Sequence, residues 1–313
     1  MKLSFAASGN GLKRTLASYK KHFPLFLMFL PAVCYFVLFK YIPMYGIVIA
    51  FKQFNLAKGI FDSPWIGLAN FTKLFSNNLF MRALRNTVII SALKWIVGFP
   101  APIIFSLLLN EIRNAPLKKT VQTISYLPHF LSWIVLSGIF TQLLSPGNGA
   151  VNYLLSTLFG IKPIYFLASN AWFRSVLVIT GLWKGVGWGT IIYLAAISSI
   201  PPELYEAADC DGASRFQKML FITVPTIAPV ITIQLILSTG NLLEAGFDQV
   251  FNLYNESVYE TSDIIDTYVY RYGLQKMMYA ETTAVGLIKN VIGFIIVLGT
   301  NALAKRINDY GLW

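Results

Sequence analysis

Charge is scarce in this sequence. Asp, Glu, Lys and Arg make up 12% of its 313 residues, while 56% are hydrophobic. A soluble domain of this length carries about a quarter charged residues, so the composition excludes an ordinary soluble globule and indicates an integral membrane protein. Cysteine is almost absent: Cys34 and Cys210 are far apart, in or near apolar segments, which excludes a disulfide framework and a cysteine metal site. The two histidines, His22 and His129, are too few and too separated for a metal centre or a catalytic triad. No G-x-x-x-x-G-K-[ST] run occurs, so the chain has no phosphate-cradling ATPase loop of its own. Acid is scarcer than base, and the net charge is +11. The basic residues lie between apolar stretches rather than in one stripe, so nucleic acid is not an expected partner.

What the sequence does have is long apolar runs. A helix crosses the hydrocarbon core with about 20 mainly apolar residues. Six segments qualify: 24–47, 86–109, 122–144, 173–197, 225–247 and 283–304. They define an all-α domain over 24–304, preceded by segment 1–23 and followed by tail 305–313. The start resembles a signal sequence, with Lys13, Arg14, Lys20 and Lys21 ahead of an apolar run. No small-x-small cleavage site follows, so the run is expected to be a retained first span. Pro31-Ala32-Val33 lacks the small residue expected just before a lipidated Cys34. Pro43 leaves a second reading open, in which 36–51 is a separate re-entrant piece. Lys20/Lys21, Lys118/Lys119 and Lys305/Arg306 flank spans on one side, which is therefore expected to be cytoplasmic together with both termini. Tyr41, Tyr45, Trp172, Tyr310 and Trp313 fall where interfacial anchors belong.

The linker 198–224 is the most informative stretch. Pro201 and Pro202 suit the first turn of a helix, where no backbone N–H is needed, and Glu203 favours the same end through the helix dipole. Leu204, Ala207 and Ala208 share one small apolar face. Gly212 can end the helix in a left-handed conformation. Ser214-Arg215-Phe216-Gln217 has the spacing of a capping box, so a second short helix is expected, ended by Pro225. Such a pair can dock in a groove on another protein or lie on lipid. Lipid-surface helices usually present a strongly basic face. The first helix instead carries Glu203, Glu206, Asp209 and Asp211 and no base, which favours a basic protein partner.

Polar residues inside the spans are the other candidates for function. A Lys or Asp at the bilayer centre costs roughly 2.5–3.5 kcal/mol on insertion scales. Lys94, Lys184, Glu244 and Lys289 are therefore expected to face protein or water, or to lie near a span end. Gln234, Asn241 and Asp248 recur every seven residues, and Glu244 joins them, which gives one helical stripe on the fifth span. Such a stripe suits a sugar pathway, where hydroxyls exchange water for side-chain hydrogen bonds. It equally suits contact between helices, with Asp248 beyond the membrane. Gly185, Gly187 and Gly189 are expected to serve close helix packing, and His129 a packed or interfacial role.

Glu206-Ala207-Ala208, Asp211-Gly212-Ala213, Phe216 and Ile222-Thr223-Val224-Pro225 resemble the EAA loop of binding-protein-dependent ABC permeases, with Val224 in the usual leucine place. Tyr41–Gly46, Phe247–Asn255, Asp263–Arg271 and Ala284–Leu287 resemble one branch of sugar-importer permeases, often described as serving polysaccharides or aldouronate oligosaccharides. The similarity covers nearly the whole chain. It implies a type I ABC importer permease fold in a bacterial plasma membrane, with loop 198–224 as the coupling element. Glu206, Ala207, Ala208, Asp211, Gly212, Ala213, Phe216 and Pro225 would then form the ATPase-coupling set. The implied partners are a second homologous permease, two ATPase subunits that hold ATP and magnesium, and an external solute-binding lipoprotein that delivers an oligosaccharide. The chain itself would hold no cofactor and catalyse no reaction. An importer for a non-sugar solute is the alternative.

Overall fold

The computed structural model describes residues 22–308. The basic residues ahead of the first span, and Tyr310 with Trp313, lie outside them. Among the described residues extended chain pairs only at two isolated bridges, Lys52 with Trp65 and Asn55 with Gly59. The architecture is helical, as expected.

Among the described residues, five helices are long and apolar enough to cross a membrane. The first, α1 (Phe23–Phe51), is continuous. Its ladder widens at Val37–Tyr41 and tightens from Tyr45 onward. Those adjustments accommodate Pro43, which has no N–H for the carbonyl one turn back. No break separates 36–51 from the rest of this helix. A short helix α2 (Ala69–Phe75) leads into α3 (Asn78–Asn110), which starts eight residues before the expected 86 because Asn77 caps it, accepting from the Leu79 and Phe80 amides. Pro100 lies inside α3, where the ladder is interrupted at Phe99.

The expected straight third span is broken. Helix α4 (Ala115–Phe130) and helix α5 (Trp133–Leu143) meet at 105°. Leu131 is extended, and Ser132 restarts the ladder by capping the Val135 amide at 3.3 Å. After α6 (Ala150–Phe159) comes α7 (Phe173–Ser198), the central helix, which packs against α3, α4 and α9. Its glycines permit that approach. A Cβ at Gly187 would fall 2.1 Å from the Ser125 carbonyl oxygen, and one at Gly189 would fall 2.9 Å from Pro102 Cγ. Gly185 meets nothing within 4 Å, so it takes no part in the packing.

Helix α8 (Pro202–Cys210) matches its expected bounds, but the short helix after it does not. Arg215–Lys218 is the first turn of one long helix, α9 (Arg215–Gly240). The capping box is present: Ser214 N donates to Gln217 Oε1 at 2.7 Å, and Gln217 N to Ser214 Oγ at 3.3 Å. A widened turn at Met219–Thr223 takes up the missing N–H of Pro225, so that proline bends the ladder without ending it. The chain closes with α10 (Phe247–Leu253), α11 (Ile265–Val269) and α12 (Tyr279–Asn308).

Two apolar clusters mark the ends of α7. Phe173 and Leu177 pack with Ile90, Ala245, Val250, Leu253, Val258 and Ile264. Ile197 packs with Ile200 and Ile227, with Tyr205 and Ile222 against them. Leu177 and Ile197 are about 30 Å apart along a straight helix. Loop 199–214 therefore lies at the opposite end of the bundle from α10.

Candidate pathway and coupling sites

A cavity of about 770 Å³ opens between α3, α7 and α9. Aromatic rings of Trp95, Phe99, Trp188 and Tyr193 line it, with polar Gln234, Ser238, Asn241 and Glu244. Trp95 Nε1 donates to Ser238 Oγ at 3.0 Å, which orients the indole. His129 stacks on Trp188 with centroids 4.4 Å apart and planes 2° from parallel, a packed role as the sequence suggests. Asn241 and Glu244 are exposed.

The fifth-span stripe does not survive intact. Helix α9 ends at Gly240, and Asn241–Gly246 is a tight turn. Gly246 takes φ +87°, a left-handed conformation that lets the chain re-enter helix at Phe247. Gln234, Asn241 and Glu244 share the large cavity. Asp248 lies instead in a second cavity of about 540 Å³, with Trp133, Lys184, Phe247, Phe251 and Asn252. Seven-residue spacing implies one face only while the helix is unbroken.

Lys94, Lys184 and Lys289 each have partners. Lys184 Nζ donates to the Pro128, His129 and Leu131 carbonyls at 3.3, 2.8 and 2.5 Å, capping the broken end of α4. Lys289 pairs with Asp266 at 2.7 Å. Lys94 donates to the Ala245 carbonyl and to Gln249 Oε1, both at 2.5 Å. Gln249 was not legible as a site residue, because a lone glutamine after a span gives no signal in sequence.

Asp263 and Arg271, adjacent to neither cavity, form a buried polar knot. Asp263 Oδ2 accepts from Arg271 Nη2 at 2.6 Å, and Oδ1 accepts from Thr267 Oγ1 at 2.7 Å. Asn86 Nδ2 donates to the Asp263 carbonyl at 3.0 Å, and Arg174 Nη2 donates to Asn86 Oδ1 at 2.8 Å. The knot ties α3, α7 and the segment before α11 together. Burial works against the Arg271 charge, but the bond and charge of Asp263 outweigh it and hold the guanidinium above its ordinary pKa. Burial, with neighbouring negative charge, pushes the Tyr268 hydroxyl up to about 12.

The coupling-loop residues gather on one end of the molecule. Glu206, Ala207, Asp211 and Phe216 are exposed, and Ala208 and Ala213 are half-buried. Gly212 has φ +72°, and Ala213 N donates to the Ala208 carbonyl at 2.9 Å, closing α8 as expected for a glycine stop. Lys218 Nζ reaches Asp209 Oδ1 at 2.6 Å. Pro225 sits inside α9 and is exposed.

Residues 98–309 match the family described as "Binding-protein-dependent transport system inner membrane component". The chain belongs to this family. The permease is 44% identical over 301 residues to the polygalacturonan/rhamnogalacturonan transport system permease protein YteP of Bacillus subtilis (strain 168), covering 96% of this chain and 94% of that protein. It is 42% identical over 306 residues to Protein LplB of the same organism, covering 98% and 96%. A solved bacterial alginate ABC transporter, in complex with an alginate pentasaccharide-bound periplasmic protein, contains a chain of the same fold. The TM-score is 0.88 at 40% identity, over 96% of the permease and 100% of that chain.

Proposed function

We propose that this permease is a membrane subunit of an ATP-driven importer for an oligosaccharide, and that the cavity between α3, α7 and α9 is its share of the translocation pathway. One observation carries the reading: aromatic faces and uncommitted polar side chains converge on one cavity. Trp95, Phe99 and Trp188 offer flat apolar surface to the C–H faces of sugar rings, with buried Tyr193 in the wall behind them. Gln234, Asn241 and Glu244 offer donors and acceptors to hydroxyls. The relatives named for polygalacturonan, rhamnogalacturonan and alginate transport support sugar over a non-sugar solute.

In this reading α8 and the first turn of α9 dock on a cytoplasmic ATPase. Exposed Leu204 and Phe216 supply apolar contact, and Glu203, Glu206 and Asp211 supply negative charge to a basic cleft. Two such ATPase subunits hold ATP and magnesium, a second permease completes the pathway, and an external solute-binding lipoprotein delivers the sugar. Both termini then lie in the cytoplasm. Asp248 belongs to a neighbouring polar step rather than to the main cavity.

The test is uptake of a labelled panel, with and without this chain, in cells carrying the other subunits. The panel holds galacturonate and alginate oligosaccharides, neutral xylo-oligosaccharides, amino acids and short peptides. Chain-dependent uptake of an oligosaccharide is the expected result. Uptake of an amino acid or peptide alone would overturn the reading.

A further inference from the structure

The turn that presents Asn241 and Glu244 to the cavity is held by Lys94, which lines the same cavity. Lys94 Nζ, on α3, donates at 2.5 Å to the carbonyl of Ala245 within that turn and at 2.5 Å to Gln249 Oε1 just after it. Gln249 is buried, and its amide nitrogen donates to the Leu177 carbonyl at 2.8 Å and to Thr180 Oγ1 at 2.7 Å, both on α7. One ammonium and one amide therefore join α3, α7 and the broken end of the fifth span at a single point.

Lys94 makes no ion pair among the described residues. An ammonium inside a span is expensive unless dipoles replace its water. Here a main-chain carbonyl and an amide oxygen do so, and both belong to the turn region. A Cβ at Gly246 would fall 3.1 Å from Lys94 Nζ, so glycine both supplies the left-handed turn and leaves room for the ammonium. Lys94 lines the cavity beside Asn241 and Glu244, but its ammonium is taken up by these two acceptors.

We propose that Lys94 is a positioning residue for transport: with Gln249 it fixes the Asn241–Gly246 turn, and so sets where the polar groups of the cavity meet the sugar. The inference rests on the cavity being the pathway. It assigns to Lys94, although it lines the cavity, an action through Asn241 and Glu244, because its ammonium is bound to the Ala245 carbonyl and Gln249 Oε1.

Two readouts test it in the assembled complex, reconstituted with its ATPases and binding protein. The first uses no substrate. A spin label at Asn241→Cys, with Cys34 and Cys210 replaced, should gain mobility in Lys94→Met and in Gln249→Met, and keep its parent mobility in Lys94→Arg. The second is uptake of a labelled galacturonate oligosaccharide and of a neutral xylo-oligosaccharide. Lys94→Met and Gln249→Met should each raise KM about tenfold, the scale of one lost charge-assisted hydrogen bond, with the maximal rate within about twofold. The pair together should be no worse than either alone, and neither should add to the effect of Glu244→Ala. Unchanged label mobility and unchanged KM in both variants overturn the proposal. A KM rise in Lys94→Met but not Gln249→Met, larger for the acidic sugar, also overturns it, because Lys94 would then touch the substrate directly. If Lys94→Met fails to assemble, Gln249→Met and Gly246→Ala carry the same test. Should Asn241→Ala and Glu244→Ala both leave uptake normal, the pathway reading fails, while the label mobility still reports on the latch.

Discussion

Tyr205 Oη lies 2.9 Å from Thr223 Oγ1. The bond joins α8 to the widened turn that carries α9 into the bundle. Thr223 is buried, so the bond is shielded from water. In the proposed coupling, a push on α8 would reach α9 at its least regular turn. Tyr205→Phe removes the bond and keeps the ring, at a net cost of about 1 kcal/mol. The complex should assemble normally, and binding-protein-stimulated ATP hydrolysis and transport should fall together. Full stimulation of Tyr205→Phe would show that the force travels by another contact.

Gly212 meets nothing within 4 Å of where a Cβ would stand. The cost of a side chain there is conformational, roughly 1–2 kcal/mol for left-handed geometry. Gly212→Val should reduce stimulated ATPase activity and transport sharply, while the external binding protein still captures sugar. Gly212→Asn should be the mildest replacement, since asparagine tolerates that conformation best. Equal activity for valine and asparagine would remove the backbone argument.

Asn241 and Glu244 share one cavity and Asp248 sits in another. Alanine at Asn241 or Glu244 should impair sugar uptake with assembly intact. The double variant should fall short of the summed single effects, because both act on one bound ring. Asp248→Ala should add independently. Loss of assembly in Asn241→Ala or Glu244→Ala, measured by size-exclusion chromatography, would assign those residues to helix contact instead.

Asp263 is 0% exposed and faces Arg271, with Arg82 3.9 Å away. Removing one partner of a buried ion pair typically costs 3–5 kcal/mol, because the remaining charge is left without compensation. Asp263→Ala should lower the melting temperature of the detergent-purified complex by several degrees. Thr267→Val, which removes one accepted bond, should lower it less. The reverse order would show that the carboxylate charge contributes little.

Native Cys210 is exposed at the end of α8 and offers a topology probe. With Cys34 replaced, an impermeant thiol reagent should modify Cys210 only after the membrane is opened. A cysteine at Glu256, exposed near the other end of α7, should react in intact cells. Labelling of Cys210 from outside would invert the orientation and with it the docking of α8.

Composition and local spacing by themselves determined that this is a helical membrane protein. They also indicated the long apolar helices, where α8 starts and stops, and that Ser214 and Gln217 cap each other. These features depend on residues within one or two turns, or on the mean polarity of a segment long enough to cross lipid. Only the tertiary structure decided that the third span breaks at Leu131, since Lys184 lies 53 residues away in sequence and supplies the donors for the freed carbonyls. It alone decided that Pro225 lies within a helix and that the polar stripe parts at Gly240. A proline can be absorbed by a widened turn, and a span can end early, wherever packing and distant hydrogen bonds repay the broken ladder. Lys94 shows the division most clearly. The sequence required it to find a partner, and the fold chose a carbonyl and a glutamine more than 150 residues on.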